Sequence, residues 1–250
     1  MSSSQFDPPS AATPVRLDKR LAALTGCSRR EAEYYIEGGA VTVDGEVIDE
    51  PQFMVGQQEV VLAAGAKAVP AQPATLLLHK PAGVEVFGDS GAALGLISPG
   101  SRSETDDTGI RLLRRHFARL QPIFPLEPEA SGLQVFTQDG RVLRRASEDG
   151  ARIEQEFVAE VAGKVADDTL DRLCHGNAHA IYRRATAKVS WQSENRLRFA
   201  MCGVLPGQIA ALCESVGLQV QSLKRLRIGR VGLARMPVAQ WRYLPSSERF

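Results

Sequence analysis

An α+β fold in two parts is what the sequence predicts: a small two-helix module with a short sheet, then a larger mixed, largely antiparallel sheet flanked by helices. Three observations carry this. Between residues 15 and 62 apolar spacing is first helical and then alternates every second residue. A nearly uncharged Ala/Gly/Pro-rich stretch follows at 63–74, with the composition of a linker. Beyond it, runs of strand character far outnumber helical ones, too many for a sheet built from strand–helix–strand repeats.

Residues 1–14 are rich in Ser, Pro and Ala and read as a flexible tail. Leu17, Leu21 and Leu24 lie on one face of a first helix, and Ala32, Tyr35 and Ile36 on one face of a second that stops at Gly38-Gly39. Val41 and Val43 alternate into Asp44-Gly45, a two-residue hairpin turn, and 59–62 supplies a third strand. In the larger part, 75–250, a buried strand at Thr75 to Leu78 is expected to end in a turn at Lys80-Pro81-Ala82-Gly83. Arg111 to Arg119 can form a basic amphipathic helix. Gly132 to Thr137 is a strand, followed after Gly140 by a helix with Arg141, Arg144 and Arg145. Further strands are expected at 156–161, 181–191 and 196–201, and a helix between Pro206 and Gly217.

The chain has 250 residues, 44% of them hydrophobic, and a formal net charge of +1. Nucleic-acid affinity would therefore come from local patches rather than the overall field. From Ser215 to Ser247 there is no acid, while Lys224, Arg225, Arg227, Arg230, Arg235 and Arg242 all fall there. In the first module Arg16, Lys19, Arg20, Arg29 and Arg30 are outnumbered by acids, so a basic face would be one-sided. Four cysteines without a CxxC pair suggest a reduced, cytoplasmic protein. His175 and His179 beside Cys174 have helical spacing, but Gly176 and Asn177 weaken that helix and no metal is expected.

Ser28-Arg29-Arg30-Glu31 is the most specific local signal. Ser28 can cap a helix and Glu31 can reach back to complete a capping box, which puts both arginines in the first turn. Cations there reinforce the helix dipole, so the pattern suits a phosphate better than it suits helix stability.

Cys27 to Ala32, with Tyr35-Ile36-Glu37 and Gly39, resembles the αL-type RNA-binding module shared with a small-subunit ribosomal protein. The rest is similar to the RsuA-like RNA pseudouridine synthases, of the RluF type. Four blocks carry the likeness: Lys80-Pro81-Ala82-Gly83; Gly132-Leu133 through Thr137 with Asp139-Gly140; Gln208-Ile209 with Leu212-Cys213-Glu214, Gly217 and Val220; and Leu223, Arg225, Arg227-Ile228, ending at Trp241-Arg242 with Leu244 and Glu248. The resemblance implies an αL-type domain at 15–62, a synthase-type domain at 75–250, and uridine-to-pseudouridine isomerisation without cofactor or metal. Its expected partner is structured RNA, ribosomal RNA first and transfer RNA second; a cytoplasmic monomer away from membranes is expected.

By the same resemblance the catalytic aspartate position is Glu127, substrate contacts fall to Phe157, Lys80 and Gln208, and RNA contacts to Arg16, Lys19, Arg29, Arg30, Lys224, Arg225 and Arg227. The chain departs from the pattern at its chemical centre. Arg-Leu-Asp reads Pro125-Leu126-Glu127, the stacking tyrosine is Phe157, and the basic pair after Gln208-Ile209 is Ala210-Ala211. An extra methylene moves a carboxylate by about 1 Å, and a misplacement of that size can cost on the order of a hundredfold in rate. An RNA-binding protein with weakened or lost catalysis is the expectation; the alternative is an active synthase that uses Glu127.

Overall fold

The computed structural model describes residues 13–87, 92–175, 187–245 and 247–250. Most of the N-terminal tail, His179 and the first part of the strand expected at 181–191 lie outside these. The chain divides into two compact units, Met1–Gln72 with Arg111–His116, and Pro73–Ile110 with Phe117–Phe250.

The first unit runs β1 (Val15–Arg16), α1 (Leu17–Thr25), α2 (Arg29–Glu37), β2 (Val41–Val43), β3 (Glu46–Val47), β4 (Met54–Val55) and β5 (Val60–Leu62). Strands β3, β2 and β5 form an antiparallel sheet and β1 pairs with β4. Leu17, Leu21, Ala32, Ile36, Val41, Val43 and Val55 make its core with Tyr35 packed against it, whereas Leu24, expected on the same face of α1, lies in the last turn and is exposed. Asp44 and Gly45 both take positive φ, 50° and 85°, as a tight right-twisting hairpin requires. The basic helix expected at 111–119 is absent: only Arg114–Phe117 make a turn of 3-10 helix. Nine residues are too few for a helix that its surroundings do not support, and here Leu113 and His116 are buried as individual anchors.

The second unit continues with β6 (Thr75–Lys80), α3 (Ala92–Gly95), β7 (Gln121–Ile123), β8 (Ser131–Thr137), α4 (Gly140–Asp149), β9 (Glu154–Gly163), α5 (Thr169–His175), β10 (Lys188–Ser193), β11 (Arg196–Cys202), α6 (Gln208–Ser215), β12 (Leu218–Ile228), β13 (Val231–Gly232) and β14 (Trp241–Tyr243). Among the described residues nine strands form one sheet in the order β10-β11-β9-β12-β8-β6-β14, with β13 on β12 and β7 on β8. Every pairing is antiparallel except β12 with β8, so the sheet is mixed and largely antiparallel. Leu77, Leu133, Val135, Ile228, Val231 and Met236 build the core on one face, with Val142, Leu143 and Ala146 of α4 packed against it.

Candidate functional site

A single row of residues crosses the middle of the large sheet. Phe157 of β9 pairs with Arg225 of β12, Arg225 with Gly132 of β8, and Gly132 with Lys80 of β6. Residues that pair in register share a face of the pleat. Three positions expected at the site are thereby brought together around a glycine. Gly132 has φ +109°, and a Cβ there would lie 2.2 Å from the main-chain oxygen of Arg225. No other residue fits between those strands.

The row supports the loop between β7 and β8. Arg225, 2% exposed, donates from Nη2 to the Phe124 carbonyl at 2.7 Å, from Nε to Leu133 O at 2.8 Å and from Nη1 to Gln155 Oε1 at 2.9 Å. Lys80 is fully buried, and its ammonium donates to the carbonyls of Val84, Pro81 and Pro128 at 2.7, 3.0 and 3.0 Å. Gln134 completes the frame: its amide nitrogen donates to Ile123 O, and its oxygen accepts from Leu126 N. A loop with this many main-chain groups turned inward needs such donors, because each unmet carbonyl in the interior costs about 1–3 kcal/mol. Burial pushes the Arg225 guanidinium down to about 9. Burial also pushes Lys80 down to about 8, opposed by the charges of Glu129 and Glu127 and reinforced by Arg225.

The loop so fixed presents Glu127. The residue lines a small hollow open to solvent, with Pro125, Leu126, Gln155, Phe157, Val204, Leu205, Pro206, Ile209 and Leu223. The side chain is half-buried, and Oε2 accepts from the main-chain amide of Gly207 at 2.8 Å. Gly207 is the N-cap of α6 and takes φ +75°. Among the described residues Glu127 has no ion-pair partner; Ala210 and Ala211 offer none. Eight apolar residues, one acid and one amide side chain thus line the hollow, and main-chain and side-chain polar atoms contribute about as much of its surface as apolar ones.

Several sequence expectations need correction. Lys80 is the last residue of a strand, not a lysine displayed on a turn, and its three protons are taken by carbonyls. Arg225 faces the protein interior and is not available to a phosphate. Gln208 is buried and uses its side-chain oxygen to accept from Leu205 N at 3.0 Å, which shapes the turn into α6 rather than lining the hollow. Arg227 is held by Glu154 at 2.7 Å and Glu156 at 3.1 Å. Phe157 does line the hollow, with the Arg225 guanidinium 5.9 Å from its ring centre. Lys224, on the opposite face to its neighbour Arg225, is half-buried and has no ion-pair partner among the described residues. Gln134, Gln155 and Gly207 also shape the site, and of these Gln134 alone carries a sequence signal, an amide between Leu133 and Val135 in a buried strand.

In the first unit the capping box is present: Ser28 Oγ accepts from Glu31 N at 3.2 Å and Glu31 Oε2 from Ser28 N at 2.8 Å. Arg29 turns away from the helix end to Asp18, meeting its carboxylate at 2.8 Å, and Arg16 meets the same oxygen at 3.1 Å. Burial alone would raise the Asp18 carboxyl, but the Arg29 hydrogen bond, the Lys19 amide and the two guanidinium charges hold it below its ordinary value. Arg30 is exposed, donates to Tyr34 Oη at 2.8 Å and lies 5.6 Å from that ring's centre. Lys19 is exposed beside them.

Residues 15–61 match the S4 domain family. Over 241 residues the chain is 28% identical to the dual-specificity RNA pseudouridine synthase RluF of Escherichia coli O6:H1, an alignment that covers 94% of this chain and 77% of the relative. It is 28% identical over 220 residues to ribosomal large subunit pseudouridine synthase B of Bacillus subtilis, covering 84% of each. A solved pseudouridylate synthase matches it with a TM-score of 0.59 at 19% identity, over 93% of this chain and 97% of that one, which shows the fold.

Proposed function

We propose that this chain, a homologue of the RNA pseudouridine synthases with an S4 domain before the synthase fold, binds structured RNA and seats a base against Phe157 with little or no turnover. Ribosomal RNA is the first candidate. The reading rests on Glu127, the residue that the resemblance assigns to the catalytic aspartate: the acid has no cation within ion-pair distance among the described residues, and one of its oxygens is committed to Gly207. Phe157 lines the hollow with a ring that is only 4% exposed and has no hydroxyl, and an extruded base needs a stacking face together with hydrogen-bond partners for its edge, which Glu127 and Gln155 can supply. A geometry displaced by about 1 Å is expected to lower the rate by roughly a hundredfold or more.

An active synthase using Glu127 is the second reading, favoured by the acid's position on the hollow with Oε1 free of hydrogen bonds among the described residues. Tritium release from ribosomal RNA fragments labelled in uridine separates the two. The first reading expects release near background together with measurable RNA binding. Clear turnover that Glu127→Gln abolishes would replace it with the second.

A further inference from the structure

We infer that Glu127 acts as a latch: its carboxylate closes the hydrogen-bond ladder at the start of α6 and thereby fastens one wall of the hollow to the other. This rests on the reading of the hollow as a base-binding pocket, and gives its acid a positioning task. One wall, Pro125 to Glu127, belongs to the loop framed by Lys80, Arg225 and Gln134. The other, Val204 to Pro206, lies between two glycines in the left-handed region, Gly203 at φ +61° and Gly207 at φ +75°.

The donors of the second wall fall to side chains. Gln208 Oε1 accepts from Leu205 N at 3.0 Å, Pro206 has no N–H, and the Gly207 amide, which precedes the first helical turn, is met by Glu127 at 2.8 Å. The Gly207 carbonyl already accepts the first helical bond, from Ala211 N at 3.0 Å. A carboxylate bonded to an amide at a helix start is charge-assisted and sits at the positive end of the dipole. Both Val204 and Leu205 line the hollow, and Leu205 is half exposed, so this wall has little packing of its own to hold it. The glutamate's length matters, since an aspartate on the same backbone stops about 1 Å short, the advance of one C–C bond along a staggered chain.

Amide hydrogen exchange on the full-length protein tests this, comparing Gly207 with Val135 in the buried strand β8. Glu127→Asp and Glu127→Ala are expected to speed Gly207 exchange by roughly tenfold or more while Val135 is unchanged. Glu127→Gln, whose carbonyl oxygen has the same reach, is expected to keep protection within about threefold. Protection retained in the Ala or Asp variant overturns the latch. So does loss in Gln as complete as in Ala, or acceleration shared equally by Val135. None of these outcomes depends on turnover, so failure of the latch and failure of the silent-pocket reading are told apart.

Discussion

The two sets of cations singled out in this chain were placed under opposite physical constraints. Around the start of α2, Arg16, Arg29 and Arg30 remain at the surface, and Arg16 and Arg29 share one buried acid. In the centre of the large sheet, Lys80 and Arg225 are fully enclosed and their donors are spent on main-chain carbonyls. Surface guanidiniums held by a carboxylate are oriented yet still hydrated, and can exchange or add a phosphate. Enclosed ones cannot, because their work is to mould a loop. The same residue types thus stay hydrated at the surface in one unit and serve architecture in the other.

The sharpest way to break this contrast is Arg225→Met. It strips partners from Phe124 O, Leu133 O and Gln155 at once, and a loss of about 3–5 kcal/mol is expected in denaturant unfolding. A change below 1 kcal/mol would mean that Arg225 is not an architectural residue. Lys80→Met comes next, with about 1–3 kcal/mol expected at neutral pH, because removal of a buried charge offsets part of the cost of the three carbonyls left unmet. It carries a pH signature as well. Because burial holds Lys80 at about 8 against an ordinary 10.5, the unfolded chain keeps that proton through the interval where the folded chain has lost it. Stability from this group therefore rises with pH between about 8 and 10.5, and the variant should lack that rise.

The smallest effect on stability is expected at Arg30→Gln, within about 0.5 kcal/mol for an exposed side chain. RNA binding should nevertheless weaken, with the salt slope reduced by about one. Unchanged affinity and slope would remove Arg30 from the RNA contacts.

Much of this was legible from short-range patterns. The helical face of α2, the Leu17 and Leu21 part of the α1 face, the capping box at Ser28 and the Asp44-Gly45 turn depend on neighbours within a few residues, and each stands where the sequence put it. The strand at Gly132 to Thr137 and the helix after Asp139 follow from the same kind of signal. The start of α6 did not: Pro206 suggested the first turn, but the helix begins at Gln208 because Gly207 takes the cap conformation. The missed feature was distant in sequence, for the acid that meets Gly207 is eighty residues away.

The sequence by itself determined the two-part α+β plan and the local caps and turns. Tertiary structure alone decided that Lys80 and Arg225 point inward, that Gln208 braces a turn, and that Glu127 is met by an amide instead of a cation. The reason is the register of the sheet: one row joins Phe157, Arg225, Gly132 and Lys80 across four strands, and residue spacing within any one strand carries no information about the rows beside it.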